Sequence, residues 1–262
     1  MRYIRRAAVL GLVVLICQVA PVAQQAATPD KVVLTPEQME AFLLNAEVVR
    51  LRSAGDGITN SRRATLTDGT VTHDAHVQIV DEAKAFFETA KITEINFKDS
   101  YRYNIAGYRL ARLLELDNVP MSVERRIEGK PAAVTWWVDD VMMDEGDRVK
   151  KKASDPNPQR QSAYTYRQRV FDELIQNRDR NLGNLLWTTD WKMWMIDHTR
   201  AFRRRRDLLK PVLLMRIDRS FLANVRGLKR ETVGRSLERI LTREEIDAMM
   251  TRRDLIVKAF DA

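Results

Sequence analysis

The sequence has little of what builds metal cages and covalent frameworks. In 262 residues there is one cysteine, Cys17, and there are three histidines. A single thiol excludes an internal disulfide framework. His73 and His76 fall on an expected strand, where residues three apart point to opposite faces. A histidine-rich zinc centre would therefore have to recruit His198, and none is expected. Internal repeats and low-complexity tracts are lacking. So is any nucleic-acid reader motif with interleaved aromatics, so no nucleic-acid partner is expected. The one long apolar run, residues 7–20, falls short of the roughly 20 residues a membrane span needs.

What surrounds that run is informative. Arg2, Arg5 and Arg6 precede it, and the small residues Ala20, Ala23 and Ala26 follow. This is the pattern of a secretory signal. Residues 1–23 are read as a signal peptide and 24–34 as a linker, with an uncleaved anchor as the alternative. Leu15 and Ile16 before Cys17 do not fit a lipoprotein signal. The expected location is outside the cytoplasm, periplasmic or extracellular, with no stable membrane span after signal removal. The chain is 45% hydrophobic and 31% charged, which is a globular balance. Its 44 Lys and Arg against 36 Asp and Glu give a formal charge of +8, which favours anionic partners without choosing among them.

The pass along the chain gives an α+β order. Thr35 and Gln38 form a capping box around Pro36. Strands are expected at 48–51, 63–67 and 71–80, the last two joined by a turn at Asp68 and Gly69. Asp99 or Ser100 is expected to cap a helix running to about Leu116, with Ile105, Tyr108, Leu113 and Leu116 as its apolar stripe. Strands follow at 123–126 and 134–138. The charged, Pro- and Asn-containing stretch 144–161 reads as a loop and lobe boundary. After it come a helix at 164–176, a strand pair at 185–187 and 193–196, and mainly helix. A second capping box joins Thr242 to Glu245. Two lobes are expected, an N-lobe at 35–143 with a β-sheet and one helix, and a mainly helical C-lobe at 144–262.

One constellation carries chemistry. Asp179 lies in a polar loop after a helix, Asn184 follows at the head of a strand, and Asp197 ends the paired strand. A hairpin would bring Asn184 and Asp197 to one cavity. Phosphoryl transfer needs such a set, with one carboxylate for the attacking hydroxyl and oxygen ligands for a hard cation.

The segments NRDRNLGN at 177–184 and IDHTRAF at 196–202 resemble the catalytic and metal-binding loops of atypical kinases. That broad group contains phosphatidylinositol kinases, HipA toxin kinases, and the four-jointed and Golgi secretory kinases. The helix at 103–116 is similar to its N-lobe helix, and residues 46–202 follow its fold in order. The resemblance implies a bacterial-type exported member with a two-lobed kinase-like fold, using ATP with Mg²⁺ or Mn²⁺. It makes Asp179 the catalytic acid/base, and Asn184 and Asp197 the metal ligands. Gly55 and Gly57 lie where a phosphate-covering loop belongs. Gln78 takes the place of the usual strand lysine, and Asn104 that of its glutamate partner. A Gln–Asn pair can hydrogen-bond but cannot neutralise phosphate, and Lys84, Lys98 and Arg63 are the nearby replacements. The implied activity is phosphorylation of an unidentified hydroxyl-bearing acceptor, with an acidic one in view. The alternatives are a catalytically impaired nucleotide-binding pseudokinase and a basic interaction protein without nucleotide.

Two further features have plain and functional readings. Arg203 to Arg206 is either a solvated basic run or a hold for an acidic or phosphorylated acceptor. Trp136, Trp137, Trp187, Trp191 and Trp194 are expected in cores. Residues 136–140 also fall where the hinge beside an adenine pocket belongs.

Overall fold

The Thr35 capping box opens the first helix. Thr35 Oγ1 accepts from Gln38 N at 3.2 Å, and Gln38 Oε1 accepts from Thr35 N at 2.8 Å. The computed structural model describes residues 33–54, 61–88 and 93–261. The expected signal peptide, most of the linker, and Gly55 and Gly57 lie outside the described residues.

Helix α1 (Pro36–Asn45) leads into β1 (Glu47–Ser53), β2 (Arg62–Thr67) and β3 (Thr72–Gln78). The turn between β2 and β3 forms at Asp68 and Gly69. Asp68 Oδ1 accepts from the backbone N–H of Thr70 and Val71, and Gly69 takes φ +88°, which suits a residue without Cβ. The chain continues through β4 (Asp81–Glu88), β5 (Thr93–Ser100), α2 (Arg102–Leu113), β6 (Ser122–Ile127) and β7 (Lys130–Trp136). Five antiparallel strands form one sheet in the order β1-β2-β3-β7-β6, while β4 and β5 pair separately. Ala64, Leu66, Ala75, Val77, Val123 and Val134 bury one face of the large sheet against Phe42 and Leu43 of α1.

The C-terminal region is mainly helical. It contains β8 (Val141–Asp144), α3 (Glu145–Lys151), α4 (Pro158–Ile175), β9 (Leu185–Thr188), β10 (Met193–Met195), α5 (Arg219–Gly227), α6 (Arg230–Leu237) and α7 (Arg243–Asp261). The three short strands pair in the order β10-β9-β8. Helix α2 touches both regions. It packs on β6 and β7, while Tyr103, Ala106 and Leu110 enter a core with Phe171, Leu174, Trp187, Phe202 and Met249. The Thr242–Glu245 box forms at the start of α7, and Glu245 also accepts from Tyr103 Oη and Lys98 Nζ.

Three local expectations are corrected. Asp99 and Ser100 do not cap α2; they end β5, and Tyr101 stands at the cap position, where its side chain makes no capping bond to the helix backbone. Ser100 N donates to Thr199 O at 2.9 Å, so a tertiary bond keeps this backbone extended. The stretch 144–161 is not one loop. Asp144 caps α3 by accepting from Asp147 N at 2.7 Å, and the Arg148–Glu145 and Lys151–Asp147 pairs support it. Helix α4 starts at Pro158, with Asn157 accepting from Arg160 N at 3.1 Å. Asn and Pro there are helix-start signals rather than breakers.

Candidate active site

The loop after α4 is built by side chains bonding to their own backbone. Asn177 N returns to Asp172 O at 2.9 Å, and Asn177 Oδ1 accepts from Asp179 N at 3.1 Å. Asn181 Oδ1 then accepts from Asn184 N at 3.1 Å and closes a short 3₁₀ turn, Leu182–Asn184. Strands β9 and β10 pair antiparallel with Leu185 opposite Met195, and Ile196 N donates to Asn184 O at 3.0 Å. The pairing sets Asn184 beside the segment that carries Asp197. Arg180 staples the two together. Its Nη1 donates to Asn184 O at 3.0 Å and to Ile196 O at 2.6 Å, while its Nε lies 3.0 Å from Asp172 Oδ2. Asp197 takes φ 52°, a left-handed conformation that aspartate tolerates better than most residues. Thr199 Oγ1 donates to Asp197 Oδ1 at 3.0 Å.

A cavity of about 460 Å³ lies against this hairpin. Gln78, Asn104, Asn184 and Asp197 share its wall with the apolar Trp136, Val138, Leu186 and Met195. Trp137 also borders it. Four of the residues singled out from sequence, 13 to 119 positions apart, thus meet in one place. Asp179 is not part of the cavity wall. Its side chain is 43% exposed and lies 3.6 Å from Arg200 Nη1. Burial pushes its carboxyl above the usual range, Arg200 opposes this, and the negative charge of Asp197 adds to it.

Gln78 and Asn104 are not hydrogen-bonded to each other. Asn104 Oδ1 accepts from His198 N at 2.7 Å, while Gln78 Oε1 is buried with no hydrogen-bond partner among the described residues. Asn104 therefore ties α2 to the residue after Asp197. Gly107, one turn along, allows this. A Cβ there would stand 3.2 Å from the His198 ring. Among the described residues of the cavity wall there is no lysine or arginine. Lys98 pairs with Glu245, Lys84 with Glu82, and Arg63 with Asp74.

Sequence reasoning missed several residues here. His76 lines the cavity and bonds Ser61 Oγ. Asp99 is 7% exposed. Burial raises its pKa, Thr199 opposes this, and Asp197 and Asp179 add repulsion. No sequence signal marks Asp99, because the β5 backbone bond to Thr199 brings it to the other two acids. Arg180 had a signal, its place directly after Asp179.

Asn184 Nδ2 donates to Asp179 O at 3.2 Å, which leaves its carbonyl oxygen as an acceptor beside the Asp197 carboxylate. Both are hard oxygen donors. Among the described residues no three His, Cys, Asp or Glu side chains form a cage for a metal. This donor set fits Mg²⁺ or Mn²⁺, which use one or two protein oxygens and complete their shell with phosphate and water.

The two buried histidines of the site give it a pH signature. Burial lowers the pKa of His76, partly opposed by Asp197, and lowers that of His198 further, helped by Arg180. In the unfolded chain both protonate near the ordinary histidine value of about 6.5. Below that pH the unfolded state binds more protons, so stability falls as pH falls. The slope reaches at most about 1.4 kcal/mol per pH unit for each histidine. The raised carboxyls Asp99 and Asp179 act in the opposite sense, nearer the carboxylate range. Urea midpoints measured between about pH 7.5 and 5.5 are expected to fall, and to fall less steeply in His76→Gln. A flat profile in the native chain would contradict the neutral buried state of both rings.

No protein-family model and no curated protein matches the sequence. Solved structures match the fold. Hydra Fam20 with sugar gives a TM-score of 0.65 at 13% identity, over 86% of this chain and 88% of that one. The Golgi casein kinase with Mn/ADP bound gives 0.60 at 12% identity, over 85% and 74%. The Helicobacter pylori proinflammatory kinase CtkA gives 0.53 at 9% identity, over 82% and 92%. At such identities the likeness is one of fold, and the fold is that of atypical kinases.

Proposed function

We propose that this chain, on its kinase-like fold, is a phosphotransferase that moves a phosphoryl group from a metal-bound nucleotide to a hydroxyl acceptor. The single observation that supports this most is the meeting of Asn184 and Asp197 at one cavity wall, with Asp179 just outside it. Trp136, Val138, Leu186 and Met195 give the cavity apolar surface suited to a planar base. Asn184 and Asp197 would hold the cation. When bound, that cation supplies the positive charge that the cavity wall lacks for the phosphates. Asp179 is exposed enough for an acceptor to reach, and burial raises its pKa above the ordinary aspartate value, which makes its carboxylate a stronger base. It takes the proton of the attacking hydroxyl as that oxygen bonds to phosphorus and the diphosphate leaves. With residues 1–23 acting as an export signal, the reaction takes place outside the cytoplasm, where it needs a local supply of ATP or another phosphate donor.

The absence of lysine and arginine from the described cavity wall favours a second reading, a nucleotide-binding protein without transfer. Phosphate transfer from radiolabelled ATP, to the chain itself or to added hydroxyl acceptors, separates the two. Asp179→Asn is expected to cut transfer by about 10²- to 10⁴-fold while ADP with Mn²⁺ still stabilises the protein. Equal transfer in both forms removes Asp179 from this role. Binding without transfer in the native chain selects the second reading.

A further inference from the structure

Glu94, near the start of β5, is 3% exposed and has no part in the reaction above. Among the described residues three guanidinium groups reach its carboxylate. Arg200 Nη2 lies 2.9 Å from Oε2, Arg203 Nη2 lies 2.9 Å from Oε1, and Arg178 Nε lies 3.9 Å from Oε1. Two of these arginines flank the catalytic acid. Arg178 directly precedes Asp179, and Arg200 Nη1 lies 3.6 Å from Asp179 Oδ2. The backbone joins the same two, since Arg178 N donates to Arg200 O at 3.4 Å.

Strand β5 holds the rest of the segment along its length. Asn96 O accepts from Arg203 Nη1 at 3.3 Å. Arg200 and Arg203 lie over the Phe97 ring at 5.1 and 5.7 Å. Ser100 N reaches Thr199 O. Arg203 is itself 6% exposed, so the basic run that begins there is not simply solvated. Three cations so close repel one another unless an anion sits among them. That anion is delivered by a hairpin that belongs to neither the main sheet nor the helical core.

We propose that Glu94 is a positioning residue: the β4–β5 hairpin uses its carboxylate to lock Arg178 and Arg200, and through Arg200 the side chain of Asp179, in working geometry. The role of Asp179 in this statement rests on the phosphotransferase reading; the clamp does not. Glu94, Arg178 and Arg203 also line a cavity of about 630 Å³, so a small anion can reach the place of the carboxylate beside Arg178 and Arg203 once Glu94 is truncated.

The test uses the full chain as native protein, Glu94→Ala and Glu94→Gln, each with and without sodium formate. Hydrogen exchange is followed in residues 177–184 and 197–203, alongside transfer kinetics. Both variants are expected to exchange faster in these two segments and not in β2 or β3. Their kcat is expected to fall about 100-fold, as for a misplaced catalytic group. The nucleotide KM should stay within about threefold, since binding contacts are untouched. Formate should restore Glu94→Ala in a saturable way and leave Glu94→Gln unchanged, because the amide already fills the space. Unchanged exchange in Glu94→Gln, or no response of Glu94→Ala to formate, overturns the clamp. If the native chain transfers no phosphate, the phosphotransferase reading fails, while exchange that formate reverses still upholds the clamp.

Discussion

Asp197→Asn is expected to abolish the Mn²⁺-dependent stabilisation of this protein by ADP without weakening the ligand-free chain. A ligand at 100 times its Kd adds about 2.7 kcal/mol to the native state. In a domain of this size that is roughly 5–10 °C in melting temperature. Asparagine keeps the shape of Asp197 and accepts its left-handed backbone at φ 52°. What it removes is the charge proposed to hold the cation. The same change relieves repulsion, because Asp197 is among the charges that raise the pKa of both Asp99 and Asp179. The ligand-free melting temperature should therefore stay level or rise slightly. Thermal shift with ADP alone, Mn²⁺ alone and both together reads each part separately. A variant that keeps the full Mn²⁺-dependent shift would place the cation elsewhere.

Arg180→Ala is expected to have the largest effect on stability. Arg180 and Asp172 form an ion pair with side chains only 9% and 10% exposed. Removing one partner of a buried pair costs about 3–5 kcal/mol, because the other charge stays in place. Among the described residues, the Asp172 carboxylate would keep only Gln168 and the long 3.3 Å bond from Asn177 Nδ2. The carbonyls of Asn184 and Ile196 would lose a shared donor. The expected drop in melting temperature is roughly 6–20 °C, and nucleotide binding should weaken as the two strand ends separate. Arg180→Lys keeps a charge for Asp172 but lacks the planar fork that reaches both carbonyls, so it should recover only part of the loss. A loss in Arg180→Ala of less than about 1 kcal/mol, the level of an exposed pair, would mean that Arg180 is not the staple.

How much of this was legible depended on whether the signal was local. Both capping boxes, the Asp68–Gly69 turn and the β9–β10 hairpin follow from residues within a few positions of one another. The spacing of Asp179, Asn184 and Asp197 could be read because one loop and one hairpin connect them. Strands β4 and β5 were not assigned. Strand β4 is exposed along nearly its whole length and carries no buried alternation. Helix α3 leaves no distinct trace in the sequence because charged residues serve equally in loops and in short surface helices. The start of α4 is ambiguous in the sequence because Asn157 and Pro158 belong to residue types that both open helices and break them.

The sequence by itself determined the α+β class, the two strand ends that carry Asn184 and Asp197, and the absence of a lysine at position 78. These rest on short-range periodicity, turn chemistry and residue identity. Only the tertiary structure decided that Asn104 holds His198, that Arg180 staples two carbonyls, and that Asp99 and Glu94 join groups 80 to 109 positions away. Those roles depend on where β5 and α2 dock. Docking is set by the burial of Tyr103, Ala106, Leu110, Phe171 and Phe202 in one core, and no single stretch of chain encodes that.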